Sequence, residues 1–189
     1  MKNVAQAYLD DAYRAFRGYR RLGEGALAQV TDEELFRQLD PESNSIATLM
    51  QHLAGNMRSR WTDFFTSDGE KPGRHRDREF EPHRRSREEL MREWNEAWDL
   101  VLATIQSLKP EDVLREVTVR GDRRTVLWAI QRQVTHYAYH VGQLVFLAKY
   151  FRGKEWKSLS IPKGESEEWN RRMAAGEKLD HPLGAGGKW

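Results

Sequence analysis

The 189-residue sequence predicts an all-α fold, an up-down four-helix bundle with short extra elements and with any crossover left to the longer loops. Three observations carry that expectation. Four long stretches repeat apolar residues at spacings of three and four, the period of an amphipathic helix. Glycine, proline and dense charge fall between those stretches rather than inside them. Extended character is confined to one short segment, from Glu116 to Arg120, too little for a sheet-based fold.

Residues 3–22 place Val4, Tyr8, Ala12, Phe16, Tyr19 and Leu22 on one helical face, and Gly23 and Gly25 interrupt the stretch near its end. Thr31 followed by Glu34 has the spacing of a capping box and predicts a short helical turn. Asp40 to Asn44 is a connector. The second long helix starts near Ser45, capped by Asn44 or Ser45, and runs to about Phe65. Its stripe is Ile46, Leu49, Leu53, Met57 and Phe64. His52 sits on the rim, and Asn56, one turn on, lies about 40° from it. Asp63 is on the same side, either a weaker ligand candidate or a solvated acid near a helix end.

Residues 66–87 break the periodicity and read as a long loop. Lys71, Arg74, Arg76, Arg78, Arg84, Arg85 and Arg87 oppose Asp77, Glu79 and Glu81. Basic residues with His75 and His83 raise nucleic-acid binding, but the acids are interleaved and Phe80 is the single aromatic, which favours a solvated loop packed through internal ion pairs. A loop of this length is also a candidate closing element over the mouth of a site.

The third helix runs from about Ser86 to Leu108. Ser86 and Glu89 form its capping-box pattern, and its stripe is Leu90, Trp94, Ala97, Trp98, Val101, Leu102 and Ile105. Lys109 and Pro110 stop it, and a turn leads to the extended segment, which ends at Gly121 and Asp122. The fourth helix, Thr125 to Phe151, carries the strongest pattern: Val126, Ile130, Val134, Tyr137, Val141, Leu144 and Ala148 fall at roughly 80–160° from His136 on the wheel. Beyond Gly153, Trp156, Leu159 and Ile161 can pack on the bundle, Pro162 and Gly164 turn the chain, and Ser166 caps a last helical turn with Trp169 and Met173. Past Ala174 the Gly-rich sequence reads as frayed, and His181 within it is not expected to be a ligand. The expected division is a bundle over residues 1–155 and a packed segment with a frayed tail over 156–189, all one domain.

Composition narrows the chemistry. Charged residues make up 32% of the chain, yet the net charge is only +2, so a dedicated polyanion binder is not indicated. Seven Trp, seven Phe and six Tyr supply core material. With no cysteine, disulfides, a thiol nucleophile and Cys-ligated metal sites are excluded, leaving His and carboxylate as possible ligands. No apolar run reaches membrane-spanning length and the N-terminal residues include acids, so a cytoplasmic protein without a membrane partner is expected.

The candidate site lies on the fourth helix. His136 and His140 are four residues apart, so both imidazoles project from one face, with Gln133 beside them at the edge of the core stripe. Two readings fit the pair: ligands to a common ion, or partly buried histidines hydrogen-bonded to neighbours. His52 on the second helix can close a three-nitrogen site in the middle of an antiparallel bundle. Zn²⁺ and Ni²⁺ both suit imidazole. Asn56 and Gln143, near the histidine faces, are candidates to orient a bound group. Arg60, about two turns from His52, either holds a substrate carboxylate or snorkels from the bundle.

The segments IATLMQHLAGN on the second helix and THYAYHVGQ on the fourth resemble the DinB-like superfamily of metal-binding four-helix bundles, with its single His and later His-x3-His. The resemblance covers about residues 3–151. FFTSDGEKPGRHRDREFE and WKSLSIPKGESEEWN are similar to one bacterial branch of unassigned biochemical role. The superfamily includes thiol-dependent S-transferases acting with bacillithiol or mycothiol. By matching positions, the resemblance implies His52, His136 and His140 as the metal triad, and it implies a homodimer formed through the bundle. The expected function is therefore a divalent-metal-dependent enzyme acting on a small-molecule substrate, a thiol S-transferase using a low-molecular-weight thiol or else a hydrolase. The rivals are a noncatalytic bundle stapled by its metal and a nucleic-acid binder. A structural metal would be closed by protein ligands, whereas a catalytic one keeps an open position. Specific nucleic-acid binding is not expected, and any electrostatic binding would fall steeply with salt.

Overall fold

The structure is a computed structural model and describes residues 3–81, 85–177, 179 and 181. His83 and Arg84 of the basic loop, and the Gly-rich end of the tail, lie outside the described residues. Among those described, the chain is mostly helical, with 66% of residues in helix. The order is α1 (Val4–Leu27), α2 (Asp32–Phe36), α3 (Ile46–Trp61), α4 (Arg87–Ser107), β1 (Glu116–Val119), β2 (Asp122–Thr125), α5 (Val126–Arg152) and α6 (Ser166–Ala174). Short 3₁₀ turns occupy Arg76–Phe80, Pro110–Leu114 and Gly153–Glu155. None of the helices is long and apolar enough to cross a membrane, among the described residues.

The helix starts follow local chemistry. Thr31 and Ser86 each complete a capping box, with Glu34 and Glu89, and Ser45 rather than Asn44 caps α3 by accepting from the N–H of Thr48. Thr125 does the same for α5 through Trp128. Each such cap satisfies an amide that the helix itself leaves unpaired. α1 packs against α5 and α4, and α3 packs against α4 and α5. At the centre, the Phe16 ring contacts Trp61 at 5.8 Å and Tyr137 at 5.6 Å, with Trp98 against Tyr137 at 5.6 Å. The apolar stripes of all four long helices converge here, which is where burial of apolar area stabilises the fold.

Four boundaries differ from the sequence expectation. α1 continues through Gly23 and Gly25 to Leu27. At Gly23 an added Cβ would lie 2.5 Å from Trp94 Cζ2, and at Gly25 2.8 Å from Leu159 Cδ2. These glycines admit close neighbours instead of ending the helix. α3 stops at Trp61, four residues before Phe65, because Thr62 turns extended and Asp63 takes a positive φ of 49°. Phe64 then folds back to stack on Trp61 at 5.1 Å. The extended segment is one half of an antiparallel hairpin, pairing Val117 with Arg124 and Val119 with Asp122. Its two turn residues, Arg120 and Gly121, have φ of 56° and 79°, as the tight hairpin turn requires. β2 is polar and largely exposed, so no alternation marks it. Finally, α6 is capped at Glu165 with Ser166 as its first residue, one position from the expected cap.

Trp156 and Leu159 pack on the main core, and Lys157 exchanges hydrogen bonds with the side chain of Gln29 on the 27–31 connection. The loop after α3 is tied down on both sides. Asp68 accepts from the backbone N–H of Glu70 at 2.7 Å, of Arg120 at 2.8 Å and of Gly121 at 2.7 Å, while Gly69 N–H donates to Thr118 O at 2.8 Å. The loop and the hairpin thereby stand together over the C-terminal half of α3, and this places the walls of the site.

Candidate metal centre

α3 and α5 bring His52, His136 and His140 together: one ring nitrogen from each lies within 4.8 Å of the others. The ring centroids are 5.3 Å apart for His52 and His136, and 4.7 Å for each of the other two pairs. His52 and His140 are buried, at 3% and 8% exposure.

Two of the three imidazoles are oriented by a second hydrogen bond. His52 Nδ1 lies 2.9 Å from Glu79 Oε2, and His140 Nδ1 lies 2.9 Å from Gln143 Oε1. Both partners are acceptors, so each Nδ1 carries the proton and the lone pair of the neutral ring sits on Nε2. His52 Nε2 is 3.2 Å from His136 Nε2, close to the ~3.3 Å between two nitrogens on one tetrahedral ion at ~2.05 Å bond lengths. A carboxylate behind a ligating histidine is the usual means of setting its tautomer and raising its basicity. The donor set therefore fits a divalent transition metal. His136 differs: its Nδ1 is buried with no hydrogen-bond partner among the described residues.

Electrostatics keep the pair on α5 neutral. Burial, the neighbouring His140 and His52, and the Arg132 and Arg74 guanidiniums push His136 down to about 3. Burial and His52 push His140 down to about 4, against a raising contribution from Gln143. Neutral imidazole is the form that ligates.

Glu79 was hidden in the sequence as one of several interleaved acids. It belongs to the 3₁₀ turn Arg76–Phe80, where Arg74 grips it through Nε and Nη2, both at 2.8 Å. Burial alone would raise its carboxyl, but the hydrogen bonds from Arg74 and His52 outweigh that and hold it below the usual range. Phe80 from the same turn lies over the His52 ring at 4.6 Å. The loop thus packs against the His52 side of the cluster. Gly55 on α3 provides the room, since an added Cβ there would collide with Glu79 Oε1. The only sequence signal was the Glu–His pairing itself, and 27 residues separate the two.

A cavity of about 850 Å³ opens onto the three histidines, lined in part by Asn56, Arg60, Phe80, Trp128, Arg132 and Gln133. Asn56 faces it and accepts from the Tyr137 hydroxyl at 3.2 Å, which accepts in turn from Trp61 Nε1 at 2.9 Å. Burial pushes the Tyr137 hydroxyl up, so it acts as a neutral link. Arg60 also lines the cavity, with its guanidinium on Gly69 O and on Glu70, the latter at 2.9 Å. Gln143 does not line it and acts on His140 instead. Asp63 is exposed, lines a separate cavity behind the loop, and is not among the converging groups. His75 lines that second cavity too, and His181 lies against Trp169 at 6.0 Å.

Residues 3–165 match the family described as Protein of unknown function (DUF1572). The chain belongs to this family. No curated protein and no solved structure matches it. The DUF1572 match spans the four long helices and takes in His52, Glu79, His136, His140 and Gln143, ending before α6.

Proposed function

We propose that this DUF1572 chain is a divalent-metal-dependent enzyme of DinB-like type, with thiol S-transfer as its chemistry and His52, His136 and His140 as the metal ligands. On this reading α1, α3, α4 and α5 form the up-down four-helix bundle, residues 156–189 complete the same domain, and the protein acts in the cytoplasm. The observation that carries it is the convergence of three imidazoles, two of them oriented from behind by Glu79 and Gln143, on an open cavity. A site meant only to staple α3 to α5 would be expected to close on itself with a fourth protein ligand.

Bound to these imidazoles, Zn²⁺ or Ni²⁺ would lower the pKa of a thiol or water and so generate a nucleophile at neutral pH. The chain's own groups set the conditions. Glu79 and Gln143 hold two rings in the ligating tautomer, Phe80 shields His52 from water, and the neutral Tyr137–Asn56 link fixes an amide at the cavity wall. A homodimer is part of the proposal. Phe146 and Tyr150, four residues apart on α5 and 63% and 60% exposed, present an apolar face to a second copy.

The test is metal analysis of protein purified without a His-tag, followed by thiol addition to a cobalt-substituted sample. About one metal per chain, and sulfur-to-metal charge-transfer absorption that grows as the thiol deprotonates, are expected. Metal retention with no spectral change across several thiols would replace thiol activation by hydrolysis or a structural role. Sedimentation that returns only monomer would remove the dimer.

A further inference from the structure

The cavity wall is unusually rich in arginine, and the arginines are not equivalent. Six of them line it: Arg60, Arg74, Arg76, Arg120, Arg124 and Arg132. Four are already committed to buried or adjacent acids. Arg60, Arg74 and Arg120 all reach Glu70, Arg74 is clamped by Glu79, and Arg124 pairs with Asp122 at 3.0 Å. Arg76 is half exposed and 3.6 Å from Asp77, itself 98% exposed, a pair that solvent screens strongly. Its guanidinium lies over Phe80 at 5.1 Å.

The Arg132 guanidinium has no hydrogen bond or ion pair among the described residues. It stands one turn before His136 on α5, on the same face. Arg76 and Arg132 line the same cavity as His136 and His140. Gln133 adds a second sign of a missing partner: it is 5% exposed, lines the cavity, and its Oε1 has no donor among the described residues.

We propose that the cavity selects a substrate bearing a carboxylate, seated on Arg132 with Arg76 beside it, whose uncharged end carries the reacting atom toward the three histidines. This deepens the metal-site reading and rests on it for the word substrate. A planar guanidinium fork matches a carboxylate in two parallel hydrogen bonds. One free and one weakly paired guanidinium suffice for a monoanion, and because the same forks also fit a phosphate, inorganic phosphate is a competitor in the test. Trp128, Phe80 and Tyr139 in the same wall give an apolar or aromatic body something to rest on. The Gln133 carbonyl is free to accept from a hydroxyl or amide N–H on that body.

The test uses full-length metal-free protein, so that a carboxylate cannot bind through the ion. Phenylacetate and its neutral analogue phenylacetamide are titrated by calorimetry into the parent chain, Arg132→Gln and Arg123→Gln, the last a control on exposed β2 outside the cavity. Phenylacetate is expected to bind roughly tenfold or more tightly than the amide, and Arg132→Gln to erase that preference while Arg123→Gln keeps it. Circular dichroism establishes that Arg132→Gln is folded, and Arg132→Lys, which keeps charge without the fork, should fall between. Equal affinity for the two probes, a preference that survives Arg132→Gln, or inorganic phosphate outcompeting phenylacetate would each overturn the carboxylate seat. Metal content is measured on the same samples. A protein that prefers phenylacetate but never takes up metal would sink the metal reading and leave the anion seat standing. One that binds metal without the preference would do the reverse.

Discussion

Replacing Glu79 with Gln tests whether the loop after α3 is part of the site or only covers it. The carboxylate meets three donors: Arg74 Nε at 2.8 Å on Oε1, and Arg74 Nη2 at 2.8 Å with His52 Nδ1 at 2.9 Å on Oε2. A glutamine offers one carbonyl, so whichever way it is turned its NH₂ faces an N–H of Arg74 or His52. Glu79 is 12% exposed and Arg74 only 6%, so the loss is weakly screened. Breaking a buried pair costs about 3–5 kcal/mol when nothing compensates. Glu70 stays 3.3 Å from Arg74 and the amide keeps some of the bonds, which places the cost nearer ~2–3 kcal/mol. For a chain of this size that is a drop of roughly 4–12 °C in Tm.

The same substitution removes the anion that orients His52. Loss of such an outer partner weakens metal binding about 10–100-fold. The assays are thermal unfolding of the metal-free protein and metal competition against a chromophoric chelator. Glu81→Gln, at an exposed position beside the turn, should change stability by no more than ~0.5 kcal/mol. If Glu79→Gln matches the parent in both Tm and metal affinity, the loop has no part in the site.

Three further outcomes follow from the same geometry. His52→Ala, His136→Ala and His140→Ala should each lose the metal measured by elemental analysis, whereas His75→Ala and His181→Ala keep it; unchanged stoichiometry in the first three would remove the triad. Gly55→Ala puts a Cβ against Glu79 Oε1, so it should weaken metal binding about tenfold despite the ~1 kcal/mol that alanine usually adds to a helix, and a stabilised variant of parental affinity would contradict the placement of Glu79. Asp68 is held below its usual range, first by the N–H of Glu70 and then by those of Gly121 and Arg120. Because its folded pKa is depressed, its contribution is present above the unfolded value near ~3.9 and is lost as pH falls through the folded one. Urea unfolding of the parent should therefore weaken more steeply below about pH 4 than that of Asp68→Asn, and parallel profiles would show that Asp68 does not pin the hairpin.

The helical class, the caps at Thr31 and Ser86, and the side of each helix that is buried were legible in the sequence alone, because capping and amphipathic periodicity act over four residues or fewer. The sequence also placed His136 and His140 on one face, since a helix makes that neighbourhood local. Whether His52 would meet them depended on how α3 packs on α5, which local spacing does not encode. Glu79 was less legible still. Its role comes from a turn that folds back over α3, held by Arg74 and admitted by the bare Cα of Gly55. Likewise Gly23 and Gly25 read as helix breakers in the sequence, and only their contacts with Trp94 and Leu159 make them packing positions within α1. Arg132 lies one turn from His136 in any helical reading, but that it alone lacks an acid among the cavity arginines was decided by where Glu70, Glu79 and Asp122 came to rest among the described residues. Contacts across many residues of chain depend on the packing of whole elements, and charge pairing depends on those contacts.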